Sequence, residues 1–502
     1  MAAISSATKE EIYALVGSER YRDDVRERKS YSFDIGIMPP LIKPFVKAGV
    51  AGGVARPEIE EQVQALVRLA VENHLPVVAR AAATSGYGGV LPRTGALVID
   101  MNNFNKLLDV DKENLIVRCQ AAAIWEEVDR QLIAHGLELA LHPSSYPSST
   151  VAGWLAQGGS GFGSYEYGSF RDNVVAARVI LPDGTAHEYT GDELLENIAD
   201  AEGTTGIITE VSFKVRLREE QSVRLLSFAD TAAVSKALQA IYDSKLPVWS
   251  LTFLNPAAVG LKSYLPPRHA HPYQLEAIAE EHAATKDLPE GYLVLLAFPS
   301  ARIPQLDEQL ATITSAAGGV MLPLEAAEAE WAEHTAPMRL KRIGPSIIPT
   351  EVIVPLEELQ AVLAKIEARI KQNFILEGML SANGSVTLLG FIPHDERKFT
   401  FNMAFALALS VIRIAKEHGG SAYSTGLYFR REARNVLGAK RVSRLKEHKQ
   451  RIDPSAVMNP GKVYPHSGGG ALDVLMGAAL ALEPLIRPIA NAAKIKLPTT
   501  GE

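Results

Sequence analysis

The segment from 75 to 100 constrains the fold most strongly. Two apolar runs, LPVVA and ALVID, flank a stretch rich in Ala, Gly, Ser and Thr, RAAATSGYGGVLPRTG. Small residues let backbone N–H groups approach a ligand closely, and successive amides in a tight turn form an anion site. The segment therefore predicts two strands joined by a loop that either binds an anionic group or is a surface turn.

Helix and strand patterns alternate around this loop. Residues 56–74 carry apolar side chains at helical spacing after an acidic first turn, which predicts an amphipathic helix. Further along, LIVRCQAAA is typical of a strand, IWEEVDRQLIAHG of a helix ending at Gly136, and VVAARVILPDGTAHEYT of a hairpin that turns at 182–184. These patterns predict a chain that mixes helices with sheets.

A long stretch from 142 to 173 is dominated by Ser and Gly. A loop of this length is usually functional or disordered. Aromatic residues are interleaved with its glycines, which favours order because disordered linkers are poor in aromatics. We therefore predict an ordered, functional loop. Its aromatic residues are Trp154, Phe162, Tyr165, Tyr167 and Phe170.

Composition excludes several function classes. A chain of 502 residues is long enough for two or more domains, and its formal net charge of -7 provides no basic surface for nucleic acid. Cys119 is the single cysteine, so the chain can hold neither an internal disulfide nor a cysteine-ligated iron–sulfur cluster. Electron chemistry would need an organic cofactor or another subunit. The N-terminal residues lack a signal-peptide pattern, and we expect a cytoplasmic protein.

Several segments, in order, resemble one family. PVVARAAATSGYGG, ALVIDMNNFNKLLDV, GSFRDNVVAARVILPDGT and EGTTGIITEVSFKV together resemble the FAD-binding domain of the vanillyl-alcohol oxidase and p-cresol methylhydroxylase (PCMH-type) superfamily, over roughly residues 52–218. Within it, the likeness is to the D-lactate dehydrogenase and glycolate oxidase flavoprotein subunit branch. RIDPSAVMNPGKVYP at 451–465 resembles the segment that returns to the flavin domain.

The resemblance implies an α+β fold. A two-subdomain FAD-binding domain would be followed by an α/β cap domain with an antiparallel sheet. The implied divisions are an N-terminal helical segment at 1–50, the FAD-binding domain at 51–220, the substrate or cap domain at 221–420, the returning segment at 421–466, and a Gly linker with an apolar tail at 467–502.

The resemblance also implies which residues contact FAD. Amides of the first loop would bind the pyrophosphate, the 142–159 region would contact the isoalloxazine and ribityl chain, and residues near 203 would lie beside the adenine. Alanines replace the commoner glycines of the first loop, which keeps the amides but excludes positive φ. The implied residues are Ala82, Ala83, Thr84, Ser85, Gly86, Gly88, Pro143, Ser144, Thr150, Gly153, Gly158, Gly159, Gly203, Gly206, Ile207, Asn459 and Lys462.

Two histidine observations bear on the flavin. Some family members attach the flavin covalently through a histidine, but no histidine lies between Leu75 and Leu132, so we expect FAD to bind non-covalently. His142 lies close to the predicted flavin region. A lone histidine at the start of a loop is more often structural than catalytic.

The substrate half departs from the hydroxy-acid members of the family. Where they carry an Arg after a Trp this chain has His334, where they carry a Lys it has Pro349, and their metal-binding histidines are absent. A divalent ion that polarises a hydroxyl needs such ligands. His269 and His271 are a conceivable pair, but no carboxylate lies near them in sequence, and we expect no metal.

The remaining residues supply candidates for the chemistry. Basic side chains at 339, 341 and 342 could bind a substrate carboxylate or could form a solvated helix end. Tyrosines in SAYSTGLYF could transfer a proton near the flavin or could be packing residues. The catalytic candidates are Tyr423, His334, Arg339 and Tyr428.

Three functions follow as alternatives. The first is an FAD-dependent dehydrogenase that takes a hydride from a small 2-hydroxy acid or related alcohol, of the D-lactate or glycolate type, and passes electrons to a partner protein or quinone. The second is a 4-alkylphenol oxidase, and the third is a flavoprotein subunit that relays electrons without its own substrate. The expected partners are a small-molecule substrate and an iron–sulfur or electron-transfer subunit, with a homo-oligomer as an alternative.

The tail from 467 to 502 has its own pattern. A glycine run precedes an apolar stretch from Val474 to Leu482, which is too short to span a bilayer. Pro484 and Pro488 are expected to break a continuing helix. The alternatives for this short helix are docking on a partner subunit, docking on the inner face of a membrane, or packing on its own domain.

Overall fold

A computed structural model describes residues 4–37, 39–45, 49–262, 288–335, 340, 346–464 and 470–494. The chain divides into two compact units. Unit 1 consists of Met1–Gly159, Phe170–Arg218 and Ser424–Gly477. Unit 2 consists of Ser160–Ser169, Glu219–Tyr423 and Ala478–Glu502.

Unit 1 contains a small, mostly parallel sheet. Its order is β1-β2-β4-β3; β4 runs parallel to β2 and β3, and β1 is antiparallel to β2. The predicted amphipathic helix forms as Glu60–Glu72, and its apolar side chains are buried in the same core cluster as those of β3 and β4. The strands are β1 Tyr21–Arg22, β2 Gly53–Ala55, β3 Val77–Arg80 and β4 Leu97–Asp100.

The second sheet of unit 1 is antiparallel, with order β5-β6-β10-β8-β9 and β7 beside β10. The predicted hairpin forms: Ile180 pairs with Ala186, and the Asp183 carboxylate accepts the Thr185 amide at 2.8 Å. The strands are β5 Leu107–Asp111, β6 Ile116–Gln120, β7 Leu137–Leu139, β8 Val174–Ile180, β9 Ala186–Thr190 and β10 Ile207–Leu217.

The prediction of one long loop over 142–173 is wrong. Three helices interrupt it: Val151–Gln157, Ser164–Tyr167 and Phe170–Asn173. In unit 1 the rings of Trp154 and Phe170 stack at 4.9 Å, and both meet Trp125 edge-on. Burial of these rings holds the segment in ordered turns, which a pattern of Ser and Gly does not reveal.

Unit 2 is built on a nine-stranded antiparallel sheet of order β14-β11-β13-β12-β17-β18-β16-β19, with β15 also paired to β18. Every residue of β13 is buried, as expected for an apolar central strand. This confirms the predicted α+β class. The strands are β11 Gln221–Phe228, β12 Ser250–Leu254, β13 Tyr292–Pro299, β14 Val320–Met321, β15 Ser346–Pro349, β16 Val352–Pro355, β17 Ile375–Leu380, β18 Ser385–His394 and β19 Ser421–Ala422.

Helices cover the sheets of each unit. Those of unit 1 not yet given are Ser6–Val16, Val25–Ser30, Trp125–Ile133, Gly191–Asn197, Ala433–Val436 and Ala439–Ile452. Those of unit 2 are Thr231–Asp243, Pro256–Lys262, Ile303–Ala316, Leu324–Ala332, Leu359–Arg369 and Thr400–Glu417.

The tail forms one helix, Ala471–Ala492, which contains both Pro484 and Pro488. The prediction that these prolines end the helix is therefore wrong. Proline removes a backbone donor and costs about 3 kcal/mol in a helix interior. Hydrogen bonds on the buried side of the helix offset this cost. The Gln372 side chain donates to the Ala490 carbonyl, and the Asn491 side chain donates to the Arg369 carbonyl at 2.9 Å.

Candidate functional site

The loop after β3 presents a row of backbone donors. In the described structure, the amides of residues 82–86 donate to no protein acceptor. Residue 82 is exposed and residues 83–85 are partly exposed. A run of N–H groups without protein partners fits the oxygens of a pyrophosphate, as the sequence predicts for FAD.

Asp34 holds this loop from a distant part of the chain. One carboxylate oxygen accepts the Gly88 amide at 2.7 Å, and the other accepts the Gly36 amide at 3.0 Å. The Ile35 amide also donates to the Ser85 carbonyl at 3.3 Å. The loop is therefore clamped on its protein side while its amides stay available.

Ala83 departs from the prediction made for the alanines of this loop. Its φ is +55°, in the left-handed region that was expected to be excluded. A non-glycine residue there costs about 1–2 kcal/mol. Alanine stands here at a position where glycine would be unstrained. The fold or a ligand therefore requires this turn.

The second predicted region, residues 142–159, lies against a third loop, residues 198–206, within unit 1. The amides of Asp200 and Glu202 donate to carbonyls of the helix Val151–Gln157, at 2.9 and 2.8 Å. Gly158 has φ +85°, and a Cβ there would come within 2.1 Å of an Asp200 carboxylate oxygen. Glycine is therefore required at 158. Thr150, Gly153, Gly158 and Gly159, with Pro143 and Ser144 upstream, all lie in this region, as do Gly203, Gly206 and Ile207 in the third loop and the strand after it.

The returning segment ties the first and third loops together. The Asn459 side-chain amide donates to the Gly89 carbonyl at 2.9 Å and to the Glu202 carbonyl at 2.6 Å. Lys462 donates to the Leu91 carbonyl at 2.7 Å. The buried Oδ1 of Asn459 has no partner among the described residues, which leaves an acceptor for a donor group of a cofactor.

Three buried ionisable groups lie around the first loop. Burial raises the pKa of the Asp34 carboxyl to about 7 and that of Glu202 to about 7, and it lowers the pKa of the Lys462 ammonium to about 8. Near neutral pH the two carboxyls are therefore partly protonated. Less negative charge close to the loop favours an anionic ligand there.

A cavity of about 630 Å³ in unit 1 has a cationic lining. Of the predicted cofactor residues, Asn459 and Lys462 line it, while residues 82–86 do not. Three exposed basic side chains complete its wall: Arg431, Arg434 and Lys446. The cavity is suited to an anionic group next to the returning segment.

His142 does not resemble a catalytic base. Burial lowers the pKa of its imidazole to about 4, so the ring is a weak proton acceptor at physiological pH. The ring packs on Tyr146 with centroids 4.6 Å apart. This agrees with the structural role expected for it.

In unit 2, His334 lies in a cluster of acidic and aromatic side chains. Its ring stacks on Trp331 at 4.2 Å, and Nδ1 lies 2.5 Å from the Trp331 carbonyl oxygen. With buried Glu330 and Glu377 it lines a cavity of about 10 Å³, room for about one water molecule. The other walls are apolar apart from Thr252: Phe162, Leu225, Phe253, Leu254, Leu293 and Leu295.

The other catalytic candidates are placed differently. Tyr423 is partly buried and, like Trp331, packs against the core cluster of unit 2. Tyr428 belongs to unit 1, where its ring lies 3.4 Å from the position a Cβ on Gly88 would occupy, and burial raises the pKa of its phenol well above the usual value. Arg339 lies outside the described residues, as do Lys341 and Arg342.

Metal binding finds no support where the structure is described. No group of three or more His, Cys, Asp or Glu side chains there is arranged to hold an ion. His269 and His271 lie outside the described residues.

Sequence reasoning missed four acidic residues. Asp34 precedes the region on which the resemblance rests, and Glu202 stands inside a quoted motif without being singled out. Glu377 carried a usable signal, because a carboxylate inside an apolar strand such as ILEGML is rarely buried without a role, whereas Glu330 lies in a helix with other glutamates and carried none.

Two family models match this chain. The FAD binding domain model matches residues 51–190, and the model of the C-terminal domain of FAD linked oxidases matches residues 217–463. Together they cover most of the chain between residues 51 and 463.

Curated relatives and solved structures agree with these models. Glycolate oxidase subunit GlcD of Bacillus subtilis is 24% identical, covering 92% of this chain and 97% of the relative. A mitochondrial D-lactate dehydrogenase [cytochrome] of Arabidopsis thaliana is 25% identical, covering 82% of this chain and 73% of the relative. The structure of p-cresol methylhydroxylase with substrate bound superposes with a TM-score of 0.74 at 14% identity, covering 92% of this chain and 98% of that one.

Proposed function

Because this chain belongs to the PCMH-type superfamily of FAD-linked oxidoreductases, we propose that it oxidises the CH–OH group of a small 2-hydroxy acid or a related alcohol. The proposed position of the cofactor rests on one observation: the backbone amides of residues 82–86 donate to no protein acceptor in the described structure. Bound FAD supplies a hydride acceptor.

The residues of unit 1 bind and orient the cofactor in this proposal. Amides 82–86 hold the pyrophosphate, and Asp34 fixes the loop that presents them. Asn459 joins the first and third loops through its side-chain N–H groups and offers Oδ1 to a donor of the cofactor. Partial protonation of Asp34 and Glu202 limits repulsion of the phosphates.

His334 of unit 2 is the proposed base. A Nδ1–H that donates to the Trp331 carbonyl leaves Nε2 as the nitrogen that can accept the hydroxyl proton of the substrate. Glu330 and Glu377 line the same cavity, and a carboxylate there would stabilise the imidazolium that forms.

A 4-alkylphenol is the second candidate donor. The described walls around His334 include Phe162 and Phe253 and contain no Lys or Arg. A substrate carboxylate normally meets such a cation, whereas a phenol needs apolar walls and a proton acceptor, in a space wider than the room for one water molecule found here.

The electron acceptor is proposed to be a partner subunit or a quinone. GlcD is named as a subunit of glycolate oxidase, so a multi-subunit assembly has a precedent among the relatives. The chain has one cysteine, Cys119, and it is buried in unit 1, so a cysteine-ligated cluster would belong to another chain.

The test is anaerobic reduction of the flavin by a donor panel of D-lactate, glycolate and 4-ethylphenol. Bleaching by a hydroxy acid supports the first proposal, and bleaching by the phenol alone supports the second. His334→Gln should slow reduction by at least tenfold while the protein retains its flavin. His187→Gln, on a half-exposed strand residue, is the matched control. A flavin that no donor reduces would contradict both.

A further inference from the structure

The tail helix Ala471–Ala492 presents an unusual outer face. Between residues 478 and 492 every exposed residue is apolar. Leu482, Leu485 and Ile489 are 49%, 74% and 52% exposed. The remaining exposed residues are Ala478, Ala481, Pro484, Pro488 and Ala492.

The polar residues of this helix point towards the protein. Glu483 is fully buried and pairs with Arg413 and with Arg487. Asn491 accepts the Lys371 amide at 2.9 Å and donates to the Arg369 carbonyl. An ordinary surface helix has the opposite arrangement. These ties fix the rotation of the helix, because turning the apolar side inward would break a buried ion pair.

Basic and aromatic side chains lie near the end of this face. The His394 imidazole is hydrogen-bonded to the backbone of Ala493, which places the segment after His394 beside the helix end. In that segment Phe399 is 62% exposed and Lys398 is exposed, while the exposed Arg397 is paired with Asp395 at 2.8 Å. Lys494, two residues after the helix, is exposed as well.

We propose that this face of the tail helix docks on a membrane surface that contains anionic lipids. The helix lies in the plane of the interface, with Leu482, Leu485 and Ile489 at the acyl boundary. Lys398 and Lys494 then meet the lipid headgroups. Among the helices that the structure describes, none is both long enough and apolar enough to cross a membrane.

The size and chemistry of the face favour lipid over a second copy of the chain. The segment 478–492 is roughly 22 Å long, and a strip about 10 Å wide covers about 200 Å², whereas a stable dimer buries about 800 Å² on each partner. Protein interfaces also carry about one hydrogen bond per 100–200 Å². The exposed side chains of this face have no hydrogen-bonding group.

The position of the helix in sequence supports a separate role. The family model for the C-terminal domain ends at residue 463, before the helix begins. The helix is therefore an addition to the part of the chain that the family models describe. Its docking does not depend on which substrate the protein oxidises.

The test is co-sedimentation of the full-length protein with vesicles of phosphatidylcholine alone and of phosphatidylcholine with phosphatidylglycerol. We expect binding to the anionic vesicles that weakens with salt. The double variant L485Q/I489Q should lose at least tenfold in affinity. The variant K398Q/K494Q should lose on the order of fivefold per lysine on anionic vesicles, and little on neutral ones.

The control is Leu217→Gln, which changes an apolar residue of unit 1 that is 62% exposed. It should bind vesicles like the parent, and thermal unfolding of each variant establishes that it folds. A parent protein that stays in the supernatant with anionic vesicles overturns the proposal, as does a double variant that binds equally well. A dimer in sedimentation velocity that L485Q/I489Q dissociates would also overturn it, because the face would then bind a second copy.

Discussion

The carboxylate of Asp34 accepts the backbone amide of Gly88 at 2.7 Å, across 54 residues of sequence. Asp34 is buried, and its other oxygen accepts the Gly36 amide. One side chain thus sets the position of the loop whose free amides are proposed to bind the pyrophosphate. The cofactor site is therefore organised from outside the loop that would contact the cofactor.

Replacing Asp34 by alanine should weaken FAD binding by on the order of tenfold to a hundredfold. The buried amide of Gly88 would lose its acceptor, at a cost of about 1–3 kcal/mol, and the loop would lose its clamp. Equilibrium titration of apo-protein with FAD measures the change. Asp109→Ala, at an exposed strand position, is the control and should leave the affinity unchanged.

Asn459→Asp should weaken FAD binding. Asn459 belongs to unit 1, so the folding of unit 2 should change less. An oxygen would replace the Nδ2 donor that contacts the carbonyls of Gly89 and Glu202, so two hydrogen bonds would become repulsive contacts. We expect the FAD dissociation constant to rise by about tenfold or more. An unchanged dissociation constant would show that joining the two loops is not needed for binding.

Titration of Glu202 should lower the stability of the apo-protein as pH rises from about 4.5 to about 7, against the opposite contribution of His142, whose pKa burial lowers. Burial raises the pKa of Glu202 from 4.5 to about 7, so in this window the folded state holds a proton that the unfolded state has lost. Asp34 acts in the same direction. Urea unfolding of the parent and of Glu202→Gln at several pH values should show this contribution as a difference that changes with pH, worth up to about 3 kcal/mol for one group.

Glu202→Gln should lack this contribution because glutamine does not titrate, while the contribution of Asp34 remains. Glu113→Gln, at an exposed turn position, should keep the slope of the parent. A difference in stability between the parent and Glu202→Gln that is independent of pH between these limits would show that Glu202 is not desolvated as described.

Ala83→Gly should leave stability unchanged or raise it by up to about 1 kcal/mol. Glycine removes the strain of a φ of +55°, and this gain is partly offset by its larger entropy in the unfolded chain. Ala82→Gly, where φ is not positive, should instead lower stability. Thermal unfolding of both variants measures these two changes in stability. Equal destabilisation by the two substitutions would rule out strain at Ala83.

Local patterns predict much of the fold. Apolar runs locate β3 and β4, helical spacing locates the helix Glu60–Glu72, and the Pro-Asp-Gly turn locates the β8–β9 hairpin. In each case the residues that decide the structure are close together in sequence. The resemblance of the motif order to PCMH-type flavoproteins adds the domain class, which local patterns alone do not reach.

Long-range contacts explain what the sequence does not reveal. The helix Val151–Gln157 is packed by Trp125, and the tail helix passes through Pro484 because partners such as Arg413 and Gln372 hold its buried side. Asp34 likewise acts on a loop far along the chain. Such partners are set by tertiary packing, so no window of neighbouring residues contains them.

The most direct test of the central claim is an absorption spectrum of the purified protein, followed by identification of the flavin released on denaturation. We predict a flavin spectrum and about one FAD per chain, released without proteolysis because it is held non-covalently. A colourless protein that takes up no added FAD would contradict the assignment of the 82–86 amides as the pyrophosphate site, and with it the proposed function.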